Sequence, residues 1–221
     1  MVRLPFRDRL EAGRFLGEKL LACKFPQDTI ILALPRGGVP VAYAVADTLG
    51  LPLDVVVVRK LGVPMQPELA MGAIAGAGTL ILEDAIIREF QIPEATVTSV
   101  IRSERSELER RERLYRKGRA APDLQNRTVI LIDDGMATGS TMYAAALYAN
   151  SFRPAAVIVA VPVSSAQVGR QFKPLIADCI SLATPSPFHS VSTWYSDFQQ
   201  VTDSEVQHLL DRNQQQPSRR M

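Results

Sequence analysis

Short apolar runs rich in β-branched residues alternate with helix-like segments along almost the whole of this 221-residue chain. No other feature restricts the fold as much. The runs at 29–34, 53–58, 128–132, 155–161 and 179–182 are apolar at odd and even positions with few exceptions. A strand wetted on one face alternates in polarity, whereas a strand covered on both faces does not. Between the runs lie helix candidates at about 38–49, 139–151 and 165–173, with an opening one near 8–23. This β-α-β order predicts an α/β fold, a parallel sheet flanked by helices.

Composition narrows the class further. With 47% hydrophobic and 22% charged residues, the chain is built like a folded globular protein and unlike a disordered or fibrous one. Cys23 and Cys179 are too few for a disulfide framework and sit in no Cys-x-x-Cys motif, so a reducing cytoplasmic setting is expected. The first fifteen residues carry charges without an apolar h-region, which predicts no signal peptide. The longest uncharged apolar run, 155–163, is about half a membrane span. Net charge is +2, but residues 102–119 alone hold eight basic and four acidic side chains, so the excess is local and implies no acidic partner.

Two segments break the rhythm. Residues 60–83, rich in glycine and containing two prolines, read as a flexible loop followed by a small hairpin. Residues 94–118 read as a long charged helix with i,i+4 pairs Glu107–Arg111, Glu109–Arg113 and Glu112–Arg116 and a thin apolar stripe of Val97, Ile101, Leu108 and Tyr115. Its basic residues are interleaved with acids and lack aromatic partners, which argues against a nucleic-acid surface. The polar tail 214–221 is expected to be disordered.

The most informative stretch is 129–141, Val-Ile-Leu-Ile-Asp-Asp-Gly-Met-Ala-Thr-Gly-Ser-Thr. An apolar strand ends in two carboxylates, a loop of small and hydroxyl residues follows, and an alanine-rich run opens a helix. Asp134-Gly135 could instead turn a hairpin, but the residues after it do not alternate. The free N–H groups and positive dipole end of a helix starting at 138–141 form a phosphate cradle, to which Thr138, Ser140 and Thr141 could add hydroxyls. The Gly-x-x-x-x-Gly-Lys-Ser/Thr and Gly-x-Gly-x-x-Gly patterns are absent. Acids directly before a phosphate loop suit a ligand with hydroxyls near its phosphate, a sugar phosphate.

At these residues the chain resembles the type I phosphoribosyltransferases, whose signature is an apolar strand, two acids and a small-residue loop. Further segments fit the resemblance. The loop 33–40, Ala-Leu-Pro-Arg-Gly-Gly-Val-Pro, looks like the family's pyrophosphate loop, with Arg36, Gly37 and Gly38 holding the leaving group and Pro35–Arg36 matching a bond that is often cis; a plain βα turn is the alternative. Arg59 and Lys60 resemble the basic pair from which the catalytic loop departs, although a solvated strand end would look the same. The combination of Asp8-Arg9, 33–38, 59–62 and Trp194-Tyr-Ser-Asp-Phe198 is similar to uncharacterised bacterial phosphoribosyltransferase-like proteins. Gly135 departs from the family pattern, which has an aliphatic after the acids.

The resemblance implies one domain over 1–213, with a core at about 29–184, a lid at about 60–83, the charged helix at 94–118 and a small C-terminal hood at 184–200. It implies transfer of phosphoribose from 5-phosphoribosyl 1-diphosphate to a nucleobase-like nitrogen, with pyrophosphate released. A non-catalytic sensor of that diphosphate is the alternative. Asp133, Asp134, Arg59 and Lys60 would be catalytic, and Ala137, Thr138, Gly139, Ser140 and Thr141 would hold the 5′-phosphate. Mg²⁺ would accompany the diphosphate, with Asp133 and Asp134 acting on it indirectly. Of the two acids, one is expected to touch ribose and the other to act through the ion or loop. Phe188 and Trp194 are acceptor-pocket candidates, although both could simply pack the hood; His189 and His208 read as ordinary loop or surface histidines. A homodimer is the expected assembly, without membrane or nucleic-acid partners.

Overall fold

The computed structural model describes residues 3–76, 79–166, 168, 172 and 174–215. Its centre is a five-stranded sheet, all parallel. It comprises β1 (Ile30–Ala33), β2 (Leu53–Val55), β6 (Thr128–Ile132), β7 (Ala156–Val163) and β8 (Asp178–Ala183), in the order β2-β1-β6-β7-β8. Period-two alternation sends neighbouring side chains to opposite faces. Ile31, Ala33, Ile130 and Ile132 enter one core cluster, while Ile30, Leu32, Val129 and Leu131 enter the other. Both faces are dry because helices cover both, which is why β1 and β6 are apolar without a break.

On the first face lie α1 (Arg9–Leu21), α2 (Gly38–Leu49) and the last helix, α6 (Asp203–Gln215), whose Val206, Leu209 and Leu210 are buried. The opposite face is covered by α5 (Ser140–Ser151) through Ala145, Ala146 and Ala149. Starts and stops follow local chemistry. Asp8 caps α1 by accepting from the Glu11 N–H, and Gly50 ends α2 in the left-handed conformation. Among the described residues no helix is long and apolar enough to cross a membrane.

The expected hairpin forms in the excursion, but the loop expected before it is largely strand. The excursion is an antiparallel sheet of β3 (Val58–Val63), β4 (Gln66–Ala75) and β5 (Leu80–Leu82), in that order. The single run read at 53–58 is therefore two strands in two sheets. The chain leaves the parallel sheet after Val55 and crosses Val56 and Val57, which are 1% and 2% exposed and point into opposite core clusters. Hydrophobic periodicity could not separate the strands, because the crossing residues are as buried as the strands themselves.

The short α3 (Asp84–Glu89) and then α4 (Glu94–Arg116) follow. The three expected i,i+4 pairs of α4 form, with Arg111–Glu107 at 2.7 Å, Arg116–Glu112 at 3.3 Å and Arg113–Glu109 at 3.7 Å. Val97, Leu108 and Tyr115 of the stripe are buried. Arg116 is buried too, donating to the Val55 carbonyl at 3.0 Å and lying 3.5 Å from Asp54. Charge composition alone could not distinguish this inward arginine from its solvated neighbours. The helix expected at 165–173 falls largely outside the described residues, as do 216–221 of the expected disordered tail; Gln214 and Gln215 close α6.

Candidate functional site

The site forms where the parallel strands end. After β1 the chain turns through Leu34 and Pro35 into α2, and the Pro35–Arg36 bond is cis, as expected. After β6 it runs through Asp133 and Asp134 to α5. Leu34 N–H donates to the Ile132 carbonyl at 2.8 Å, so the two strand ends are stitched side by side. This brings the Arg36–Gly38 loop against the acid pair. The contact at Gly37 leaves no room for any side chain, since a Cβ there would overlap an Asp134 carboxylate oxygen. A larger residue at 37 would have to push aside the Asp134 carboxylate and with it the ion pair to Arg9.

Because β6 stops at Ile132, neither acid is bound by strand alternation. Asp133 accepts the N–H of Asp134 at 2.8 Å through Oδ1. Burial, then the neighbouring charge of Asp134, push its carboxyl well above the usual range, against that hydrogen bond and the charge of Arg9. Asp134 is also raised by burial, and Arg9 opposes the rise. The pair is a concentrated, poorly hydrated acidic centre. Such a centre suits a partner that supplies hydroxyl donors or positive charge.

Beyond the acids, Met136 N–H donates to the Val163 carbonyl at 2.9 Å and the Met136 carbonyl accepts from Ser165 N–H at 3.0 Å, which holds the loop to the end of β7. Ala137 and Thr138 are exposed, and Thr138 Oγ1 lies 3.3 Å from Ser140 Oγ. Gly139 precedes α5, whose first N–H groups receive no side-chain cap. Ala137, Thr138, Gly139, Ser140 and Thr141 thus surround a helix start open to an anion, one loop away from the acids.

Arg59 and Lys60 stand elsewhere. Both lie within β3, paired in register with Ile74 and Ala73, and not at the end of a core strand. Arg59 turns to α4, where its Nε donates to Glu104 at 2.6 Å. Phe188 and Trp194 pack on each other with ring centroids 6.1 Å apart in a small cluster with Phe6 and Tyr195. The Trp194 indole N–H is buried and finds no acceptor among the described residues. His189 and His208 are exposed.

Several residues at the acid loop carry no local sign of their position. Arg9, the first residue of α1, donates from Nε to Asp134 Oδ2 at 2.8 Å and from Nη1 to the Gln199 carbonyl at 2.8 Å, and stacks 3.8 Å above the Phe198 ring. The Tyr195 hydroxyl donates to the Asp134 backbone carbonyl. Val191 sits so close to Gly135 that a Cβ there would lie 2.5 Å from it. The departure at Gly135 is thereby explained: the hood rests where an aliphatic side chain would stand. The resemblance marked Asp8-Arg9 and 194–198 as segments but not these contacts, which join residues far apart in sequence.

Comparison with known proteins agrees with this geometry. Residues 10–194 match the model of the phosphoribosyl transferase domain. The chain is 42% identical over 207 residues to a Mycobacterium tuberculosis protein named "Putative phosphoribosyl transferase Rv0571c"; the match covers 94% of this chain and 46% of that protein. The chain thus spans about half the length of the curated relatives it matches. The crystal structure of TT1426 from Thermus thermophilus superposes with a TM-score of 0.82 at 39% identity, over 94% of this chain and 98% of that one. With the acid pair, the loop packed against it and the helix start all borne on one parallel sheet, the chain belongs to the phosphoribosyl transferase family, with the type I fold.

Proposed function

We propose that this protein transfers the phosphoribosyl group of 5-phosphoribosyl 1-diphosphate to a nucleobase-like nitrogen acceptor and releases pyrophosphate. The observation that carries the reading is the seating of Asp134 against Gly37, which supports a reading in which the acid pair and a diphosphate-binding loop share one site. Ala137, Thr138, Gly139, Ser140 and Thr141 take the 5′-phosphate through the open start of α5. Arg36, with the backbone N–H of Gly37, takes the diphosphate, while Gly38, whose N–H donates to the Leu34 carbonyl at 3.1 Å, lets the backbone approach closely. Asp133 accepts from a ribose hydroxyl.

In the reaction the C1–O bond to diphosphate breaks, its electron pair leaves with the diphosphate, and a nitrogen lone pair forms the new C1–N bond. The acceptor then gives up its proton. Positive charge grows on the ribose ring between these events, and a dry acidic pair beneath it stabilises that charge more than the neutral ground state. Among the described residues no group of three or more His, Cys, Asp or Glu could cage a metal. Two carboxylates, one already taken by Arg9, fit an ion that arrives with its substrate, and Mg²⁺ behaves in this way. Mg²⁺ bound to the diphosphate oxygens would neutralise the leaving group, with Asp133 and Asp134 reaching it indirectly. Arg59 and Lys60 act as leaving-group residues if the antiparallel sheet closes over the substrate. Phe188 and Trp194 are the acceptor-pocket candidates, at the edge of the aromatic cluster of the hood.

One observation favours a second reading. Arg59 is held by Glu104, as suits a protein that binds the diphosphate without cleaving it. Mg²⁺-dependent pyrophosphate release with a panel of nucleobases tests both. Release with one base supports transfer; tight diphosphate binding without release from any base supports the sensor. A single domain over 1–213, a homodimer and a cytoplasmic setting complete the proposal.

A further inference from the structure

Arg9 is 10% exposed and Asp134 is 14% exposed, so their ion pair is largely shielded from water. The arginine is committed on three sides: to Asp134 Oδ2, to the Gln199 carbonyl and to the Phe198 ring. The same Asp134 oxygen is the atom that fills the place of a Gly37 side chain, and Arg9 Nε lies 3.4 Å from that place. Asp134 is therefore turned into the Arg36–Gly38 loop and clamped there by a residue 125 positions away in the sequence. Asp133 has only the N–H of its neighbour on Oδ1, and its Oδ2 takes no hydrogen bond among the described residues.

We infer that Arg9 is a positioning residue: it fixes Asp134 as the anchor between the diphosphate loop and the hood, leaving Asp133 as the acid presented to the ribose hydroxyls. The inference rests on the phosphoribosyl reading above and assigns which of the two acids touches ribose, a choice the sequence motif leaves open. It also makes α1, the hood and the acid loop one unit. Tyr195 holds the backbone of Asp134 while Arg9 holds its carboxylate, and both belong to the aromatic shelf formed with Phe198. An arginine suits this task better than a lysine, because its fork reaches a carboxylate and a carbonyl together while its flat face lies on a ring.

The test is calorimetric binding of Mg²⁺ with 5-phosphoribosyl 1-diphosphate, and of inorganic phosphate alone, to the full chain. Arg9→Met is expected to weaken diphosphate binding about tenfold or more while leaving inorganic phosphate, held by the loop at 137–141, within about twofold. Arg9→Lys keeps the charge but not the fork, and falls between. If the two side chains act as one unit, Arg9→Met combined with Asp134→Asn loses no more than the worse single variant. Equal losses of both ligands would reduce Arg9 to a folding role, and full additivity would break the unit; either overturns the inference. Should Arg9→Met not fold, Arg9→Lys and the double variant decide in the same way, with wild-type affinity in Arg9→Lys or a further loss in the double variant counting against it. A wild-type chain that binds phosphate but no phosphoribosyl diphosphate would instead overturn the functional reading itself.

Discussion

The two sheets of this molecule are built on opposite plans. In the parallel sheet, β1 and β6 are buried at every residue, and the polar chemistry begins only where those strands stop. In the antiparallel sheet, Leu80 and Leu82 are 40% and 37% exposed, Met65 at the β3–β4 turn is 96% exposed, and the charged Arg59 lies within a strand. One sheet is a foundation at whose rim the candidate site lies; the other is a cover packed against both α4 and α5, with one exposed edge at β5. A core strand can place a carboxylate to a fraction of an ångström because it cannot move, whereas a cover must trade burial for access.

The widest expected gap between the sheets is in stability. Ile130→Ala deletes a fully buried side chain from the central strand and should cost about 2 to 5 kcal/mol, against less than about 1 kcal/mol for Leu80→Ala. Urea titrations of both variants measure it, and equal costs would erase the distinction. Function should divide at the rim. Asp133→Asn is expected to lower Mg²⁺-dependent pyrophosphate release about 100-fold or more without lowering the unfolding midpoint; retention of turnover would move the chemistry away from β6.

A smaller contrast concerns the cover's own charge pair. Its side chains are 28% and 24% exposed, so Arg59→Met should cost less than about 1 kcal/mol of stability while reducing turnover about tenfold. Glu104→Gln, which releases Arg59, should leave turnover at or above wild type. Parallel losses in the two variants would make Arg59 a tether and nothing more. The smallest effect belongs to α4's solvated side, where Arg110 and Arg111 hold Glu107 down to about 2. A carboxylate lowered by folding stabilises fully above its ordinary value of 4.5 and loses that contribution as pH falls through about 2. Unfolding free energies of wild type and Glu107→Gln should therefore differ by less than about 1 kcal/mol at neutral pH and converge near pH 2, as urea titrations at the two pH values would measure.

The foundation was readable in the sequence and the cover only in part, its β4–β5 hairpin being expected and its β3 ladder not, for the same physical reason. Burial on both faces gives β1, β6 and β7 apolar runs that nothing else explains, and the acids at 133–134 stand out against them. The cover lacks such a signature: glycines and prolines at 62–76 read as a loop, yet most of that stretch forms ladders with β3 and β5. Asp133, Asp134, Gly37 and Gly38 are brought together as the motif implied, because each follows directly from a core strand. Arg9, Tyr195 and Val191 were beyond reach, since each meets the acid loop through tertiary packing that no local pattern encodes. The unheralded α6 escaped similarly; its Val206, Leu209 and Leu210 complete a face whose need for cover is visible only once the sheet is assembled.

The two-residue crossing between the sheets gives the molecule an unusual hinge. Val56 and Val57 are plugged into opposite sides of the foundation, and Val56 N–H still donates to the Ala33 carbonyl at 2.9 Å. Extracting either valine costs about 1.5 to 3 kcal/mol, so the cover has no slack at its root. It behaves as a door on a fixed pin: travel must come from bending farther out along β3 and β4, and a longer or softer crossing would loosen the pivot without adding reach.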